Sequence, residues 1–466
     1  MMTHADIVAS LQSRWPEHRV APSLSRIAAL TELLGDPQRS YPVIQVAGTN
    51  GKGSTAIMIE SILLAMNLRV GRVSSPHLSD LTERISIDGE PISHEAFDAL
   101  VGDVMPLVSI VDEQRLDGVG MTFFEVMTGL AYEAFAQAPV DVAVIEVGLG
   151  GTWDATSVAD AEVAVVCPVD LDHTHLLGDT IAEIAGEKAG IIKEGSVAVL
   201  AEQHPDAARV LMERCREVGA RMVREGVEFG LIGRTPAVGG QVLRLETADG
   251  PVDDLLLPVF GEHMAHNAAL AVAAVEAFLG GKPVPSDVLA EGLGAVRLPA
   301  RLEVVRTDPT VVLDTCHNVH GATATMAGMA EAFDFTPLIA VVGMMADKDI
   351  EGVLRVLEDG VTTIVCTQVA STDRGLPAEE LGEVASDVFG AERVHVRDSL
   401  PDALELAVTL ADQAGAGAGI LVAGSVVLAG EARTLLVRQA ADRDSDDVLG
   451  EADGYDPDHL QDEDDD

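Results

Sequence analysis

The chain has 466 residues, 47% of them apolar, and a net charge of −46: a folded protein too long for one simple core, so two domains are expected. That acidity excludes a nucleic-acid partner, which needs a basic face, and no apolar run reaches the length of a membrane span. Four scattered cysteines match no disulfide framework or metal spacing, and residues 1–19 carry no apolar signal core, so a cytoplasmic protein is expected.

Residues 1–40 read as helical, with Leu24, Ile27, Leu30, Leu33 and Leu34 on one face. A β-leaning stretch at 41–46 then runs into Gly48-Thr49-Asn50-Gly51-Lys52-Gly53-Ser54, and a helical pattern follows over 55–67. Strand, glycine loop and helix together make a phosphate cradle: glycines let N–H groups converge on an anion, the helix N-terminus adds positive potential, and Lys52 adds a cation. The string departs from G-x-x-x-x-G-K-[ST], with Val46 and Gly53 at its ends and the hydroxyl displaced to Ser54. Strands are predicted at 68–74 and 83–87, and helices at 93–111 and 122–137. The runs 140–147 and 161–168 are almost continuously apolar, as in strands covered on both faces of a parallel sheet. A helix over 180–191, a further α/β unit to about 220, a hairpin at 241–257 and a helix over 263–279 complete the first part. From Pro299 the alternation restarts, with strands at 310–314, 338–343, 362–366, 393–396 and 419–423. The expected domains are 1–298, a P-loop NTPase-like doubly wound parallel sheet, and 299–441, a smaller Rossmann-like α/β domain. Residues 442–466 hold thirteen acidic residues and one arginine and read as a disordered tail. The surplus of carboxylates over only five lysines fits either adaptation to high salt or a solubilising charge.

A phosphate loop implies a nucleotide and a divalent cation. Ser54 and Glu146, which ends the buried strand at 140–147, are the first candidate ligands for Mg²⁺. His173 in Asp172-His173-Thr174 reads equally as a ligand or as a buried structural histidine. Lys188 reads as a surface lysine paired with Glu187 or Glu183. Aromatic residues make up only 3% of the chain, so Phe123, Phe124 and Trp153 stand out, either as core or as faces for a flat ligand.

Taken together, the motifs resemble the folylpolyglutamate synthase/dihydrofolate synthase family of the Mur ligase superfamily over about residues 20–440. They are Gly48–Ser54, Ser74-Ser75-Pro76-His77-Leu78, Glu146-Val147-Gly148-Leu149-Gly150-Gly151, Asp172-His173-Thr174, Glu187-Lys188-Ala189-Gly190-Ile191-Ile192, His263-Met264-Ala265-His266-Asn267-Ala268-Ala269, Arg301-Leu302-Glu303 and Asp314-Thr315-Cys316-His317-Asn318, in that order. The resemblance implies ATP-dependent addition of L-glutamate to dihydropteroate or to the γ-carboxyl of a folate, through an acyl phosphate. Asn50, Gly51, Lys52 and Gly53 would cradle the ATP phosphates; Ser75, Glu146 and His173, assisted by Ser54, would bind Mg²⁺. Lys188 would be carbamylated. Asn267, Arg301 and Asp314 would hold the nucleotide, and His317 would lie near the phosphates or the incoming amino acid. Thr122, Phe123, Phe124 and Glu125, with Trp153 and Asp154, would line the pterin pocket of a monomer. Thr152, Ser157, Ala300, Thr315, Cys316 and Val319 depart from the family pattern, Ala300 replacing a glycine at the domain junction. A Mur-type peptidoglycan ligase is the nearest rival, but only 47 residues precede Gly48, too few for the extra nucleotide-sugar domain of those enzymes. A P-loop ATPase that performs no ligation is the other.

Overall fold

The computed structural model describes residues 3–16 and 21–437, so the acidic tail expected at 442–466 lies outside the described residues. An eight-stranded sheet runs in the order β4-β3-β2-β5-β1-β6-β7-β8. Its strands are β1 (Val43–Ala47), β2 (Val70–Val73), β3 (Ile85–Ile87), β4 (Glu90–Pro91), β5 (Val142–Glu146), β6 (Val163–Val166), β7 (Val197–Leu200) and β8 (Arg221–Arg224). Only β3 runs against the others, pairing antiparallel with β2 on one side and with the edge strand β4 on the other. The central strands are buried throughout because helices cover both faces. Ile44 and Val46 point into a core built with the helices Lys52–Ala65 and Glu262–Phe278. Val43, Ala143 and Ile145 point the other way, against the helices Ser25–Leu33, His94–Gln114 and Phe123–Gln137. The one polar residue of β1, Gln45, donates through Nε2 to Thr156 Oγ1 at 3.0 Å and to Ser157 Oγ at 3.2 Å, while its buried Oε1 has no hydrogen-bond partner among the described residues.

Several elements differ from the sequence pattern for local reasons. The N-terminal helical stretch forms two helices, His4–Gln12 and Ser25–Leu33, and Leu33 lies on the exposed side. The strand expected from 83 begins at Ile85, because Asp80 and Glu83 form a capping box around a 3-10 turn, Leu81–Arg84. The hairpin at 241–257 is part of a three-stranded antiparallel sheet: β9 (Gly230–Ala237), β10 (Gly240–Thr247) and β11 (Gly250–Leu257). Strand β9 escapes a pattern search because most of it is only partly buried and no clean alternation survives.

The second sheet has the order β12-β13-β17-β14-β15-β16, from β12 (Arg301–Thr307), β13 (Thr310–Asp314), β14 (Leu338–Val342), β15 (Thr363–Cys366), β16 (Val394–Val396) and β17 (Gly419–Ala423). Strand β12, which the alternating pattern does not announce, is antiparallel and pairs Arg301 with Asp314. Ala300, just before it, sits at φ 52°. In that left-handed region an alanine costs about 1 kcal/mol. No helix among the described residues is long and apolar enough to cross a membrane.

A buried ion pair holds the helices beneath the first sheet together. Arg26 is 1% exposed, and its Nε donates to both carboxylate oxygens of Glu125 at 3.0 Å. Arg26→Ala would strand that carboxylate, and a loss of about 3–5 kcal/mol is expected. Urea unfolding followed by circular dichroism measures it; an unchanged midpoint would show that water already solvates the pair.

Candidate active site

The C-terminal ends of β1, β2, β5 and β6 open on the same side of the first sheet, where ligands of open α/β sheets gather. The glycine loop leaves β1 and enters the helix Lys52–Ala65 with Gly51 at φ 88° as its N-cap. A methyl on Gly51 would come 2.7 Å from Asn267 Oδ1, so glycine is required there for conformation and for space. Thr49 N donates to Pro168 O at 2.9 Å and ties the loop to the strand beside it. Lys52 folds back over the loop, its Nζ donating to Gly48 O at 3.1 Å and to Thr49 O at 3.2 Å.

Glu146 ends β5 almost wholly buried, with Oε2 accepting from Ser75 N at 3.1 Å. Burial pushes its carboxyl pKa up, against Lys52, the Ser75 amide, Arg72 and Arg301. Lys188 is not the surface lysine that its local string suggests: it is 4% exposed, and its Nζ donates to Gly48 O at 2.8 Å. Burial, reinforced by Lys52, pulls its pKa down to about 7.

Asp172 is a hub between the two sheets. Its Oδ1 accepts from Lys348 Nζ at 2.7 Å and from His173 N at 2.8 Å, and Oδ2 accepts from Asn318 Nδ2 at 3.1 Å. His317 Nε2 lies 3.6 Å from Oδ2. Burial alone would raise the Asp172 pKa, but the neighbouring His317, His173 and Lys348 hold it well below the usual carboxylate range. His173 is pulled down to about 4 by burial and by Lys348, which keeps its imidazole neutral and able to ligate. Asn50 completes the link, with Nδ2 2.9 Å from His320 Nδ1 and Oδ1 accepting from Asn318 Nδ2 at 3.2 Å.

A cleft of about 660 Å³ brings together Gly48–Ser54, Ser75, Glu146, His173, Lys188, Asn267, Arg301, Asp314 and His317. Asp314 already accepts from Leu302 N at 3.1 Å, Cys316 N at 2.8 Å and Thr325 Oγ1 at 2.8 Å, which leaves about one lone pair for a ligand. A second cavity of about 1380 Å³ is lined by Thr122, Phe124, Glu125, Trp153 and Asp154, and on the side of the second sheet by Lys348 and Arg374. Ser75, His173 and His317 belong to both cavities.

Some side chains sit elsewhere than the motif positions suggest. Phe123 is buried in the core with the Arg84 guanidinium 5.1 Å from its ring centre, and is not a wall of either cavity. Glu125 wraps its oxygens around Arg26 and Thr122 N, and Thr122 Oγ1 caps the same helix, so both wall the cavity with polar atoms already engaged. Asp154 accepts from Leu149 N at 2.9 Å and Thr156 N at 2.9 Å, which shapes the loop after β5. Motif reading gave no role to Asp172, Lys348, Asn318, His320 or His263. For Lys348 a signal existed: it is one of only five lysines.

The residues fit a hard divalent cation. The buried carboxylate of Glu146, the hydroxyls of Ser54 and Ser75 and a neutral imidazole face one cleft beside a phosphate cradle.

Comparison with known proteins places this geometry. The Mur ligase glutamate ligase domain model matches residues 300–426. The dihydrofolate synthase/folylpolyglutamate synthase of Mycobacterium tuberculosis is 46% identical over 452 residues, 92% of this chain and 93% of the relative. The structure of the Mycobacterium tuberculosis folylpolyglutamate synthase complexed with ADP and AMPPCP superposes with a TM-score of 0.89 at 45% identity, covering 93% of this chain and 98% of that one. Escherichia coli FolC in complex with DHPP and ADP gives a TM-score of 0.82 at 32% identity, covering 94% and 99%.

Proposed function

The chain belongs to the dihydrofolate synthase/folylpolyglutamate synthase family, and from that premise we propose how its two cavities divide the reaction. It is an ATP-dependent ligase that adds glutamate in folate metabolism. The observation that carries the division is the shared wall: Ser75, His173 and His317 face both a phosphate cleft and a larger, more apolar cavity.

In this reading ATP occupies the first cavity, with its phosphates on the amides of Asn50–Gly53 and on Lys52, and its nucleoside between Asn267, Arg301 and Asp314. Ser54, Ser75, Glu146 and His173 hold Mg²⁺, which neutralises phosphate charge when bound. The acceptor, dihydropteroate or a reduced folate, lies in the second cavity with its ring against Phe124 and Trp153 and its carboxylate at the shared wall. A carboxylate oxygen attacks the γ-phosphorus and ADP leaves. The amine of L-glutamate then attacks the acyl carbon, an amine proton is lost, and inorganic phosphate leaves. Bridging contacts such as Lys348–Asp172 and Asn318–Asn50 draw the two sheets over the cleft and keep water from the acyl phosphate. We read the domains as 1–298 and 299–441, since among the described residues no strand pairing joins the two sheets.

The test supplies ATP, Mg²⁺ and labelled glutamate with either dihydropteroate or tetrahydrofolate, the acceptor carboxylate carrying ¹⁸O. The expected result is phosphate release that depends on both glutamate and acceptor, with ¹⁸O in the phosphate. Phosphate release without acceptor would return the ATPase reading. Response only to a nucleotide-sugar acceptor would return the peptidoglycan ligase.

A further inference from the structure

The nucleotide cleft runs from the glycine loop past the ends of the neighbouring strands: Ala201, Glu202 and Gln203 follow β7, Glu225 follows β8, and all four line it. The strand order there is β1-β6-β7-β8. At the usual strand spacing Glu225 therefore lies about 14 Å from the loop that leaves β1. That is the reach of a nucleotide laid across the strand ends with its phosphates on the loop and its base outermost. The facing wall is the helix Glu262–Phe278, whose His263, His266, Asn267 and Leu270 recur at spacings of three and four and share the cleft face.

One polar atom at this outer end is held ready for a ligand. Glu225 is 5% exposed and both its oxygens are engaged: Oε1 lies 2.5 Å from His266 Nδ1, and Oε2 accepts from Glu202 N at 2.9 Å. A carboxylate only accepts, so His266 Nδ1 carries a proton. Nε2 is left as the open nitrogen of a side chain that is 36% exposed, and no group among the described residues hydrogen-bonds it. Gln203, close by, is already spent: its Oε1 accepts from Val169 N at 3.0 Å and its Nε2 donates to Cys167 O at 3.0 Å. Leu270 and Ala201 give the same stretch of wall an apolar surface. Apolar walls with one fixed polar atom are suited to reading one edge of a flat ring.

We propose that His266 Nε2 reads the six-position of the purine base, with Glu225 as the positioning residue that fixes the imidazole. The inference rests on the nucleotide placement proposed for this cleft. A neutral ring presents a lone pair at Nε2, which accepts from the exocyclic amine of adenine and repels the carbonyl oxygen that hypoxanthine carries there. An imidazolium presents N–H instead and donates to that carbonyl. The Glu225 hydrogen bond raises the His266 pKa; burial opposes it, and the charges of Glu225, Glu262 and Glu202 add to the rise. His263, on the preceding turn, is the other titratable group of the helix that faces this ring. Preference for adenine therefore weakens as pH falls through the His266 pKa.

The test measures binding of ADP and IDP to the full-length protein by calorimetry, with Mg²⁺, at pH 8 and pH 6. Comparing the two bases cancels the titration of the phosphates. ADP is expected to bind about tenfold tighter than IDP at pH 8, the scale of one gained hydrogen bond and one avoided clash of acceptors, and the ratio should shrink at pH 6. His266→Ala should weaken ADP to the level of IDP. His266→Gln, whose amide both donates and accepts, should hold both bases with a ratio that no longer depends on pH, and it serves where the alanine variant does not fold. Glu225→Gln should move the change in ratio to lower pH, which a merely structural role would not do. A ratio near one at pH 8, a ratio that His266→Ala leaves intact, or a wild-type ratio independent of pH would overturn the inference. Lys52→Ala keeps that failure separate from failure of the nucleotide placement: it should weaken ADP and IDP alike, and unchanged affinity for both would overturn the placement itself.

Discussion

Glu146→Gln is expected to lower kcat/KM about 10³-fold, the scale of losing a preorganised charge at a reacting phosphoryl group, while the protein folds as before. Glutamine keeps the shape and still accepts from Ser75 N, so the substitution removes little besides charge. Burial raises the pKa of the native carboxyl above its unfolded value. A carboxylate raised in this way favours the folded state most below its unfolded pKa, and that contribution is lost as pH rises through the folded pKa. As pH rises the metal-free wild type therefore loses stability that the variant, with no group to ionise there, keeps, and the variant should melt at the same temperature or higher. The activity loss should be accompanied by a higher Mg²⁺ requirement. Thermal melts without metal, and kinetics across Mg²⁺ concentration, check both. A variant that loses activity and stability together would make Glu146 a structural residue, and full activity would remove it from the cation site.

Residues whose role follows from identity and short spacing are legible in the sequence. The phosphate loop announces itself because glycine freedom, a lysine and a helix start must coincide within seven residues, Gly48–Ser54. Glu146 stands out as a charge ending an apolar run. The strands of both sheets were legible where both faces are covered, as in β1, β5 and β17. Strand β12 was not, since its exposed antiparallel edge leaves no apolar run. The Asp172 hub was out of reach for another reason. Lys348 is 176 residues away in the chain, and nothing in either local string says that they meet. Glu125 and Asp154 show the reverse error. Position beside a pocket is readable from motif order, but whether an oxygen is already spent on Arg26 or Thr156 depends on packing. Lys188 combines both limits: its string looks exposed, and only the fold shows it sealed against Gly48.

Lys188→Ala is expected to abolish ligation, by about 10³-fold or more in kcat, and to be partly restored by a short carboxylic acid. A lysine that kept its proton would repel both the cation site and Lys52. Burial answers that by lowering its pKa to about 7, so that much of it is a neutral amine near physiological pH. A neutral, desolvated amine adds to the carbon of CO₂: an N–C bond forms, one proton leaves, and the product is a carbamate anion. The side chain would thereby change sign, from a cation that opposes Mg²⁺ to an anion that would favour it. The direction with pH follows. The folded pKa lies below the unfolded value, so the neutral form grows as pH rises through about 7. Protein freed of CO₂ at low pH should then regain activity on adding bicarbonate, and faster at pH 8 than at pH 6. ¹³C-bicarbonate should give a carbamate resonance that Lys188→Ala lacks. Unchanged turnover in Lys188→Ala would refute the assignment. Activity lost without rescue, with no carbamate resonance in the wild type, would leave Lys188 as the amine that fastens the glycine loop through Gly48 O. The carboxylate rescue separates these outcomes, because acetate can replace an anion near the cation but cannot replace a donor to a carbonyl.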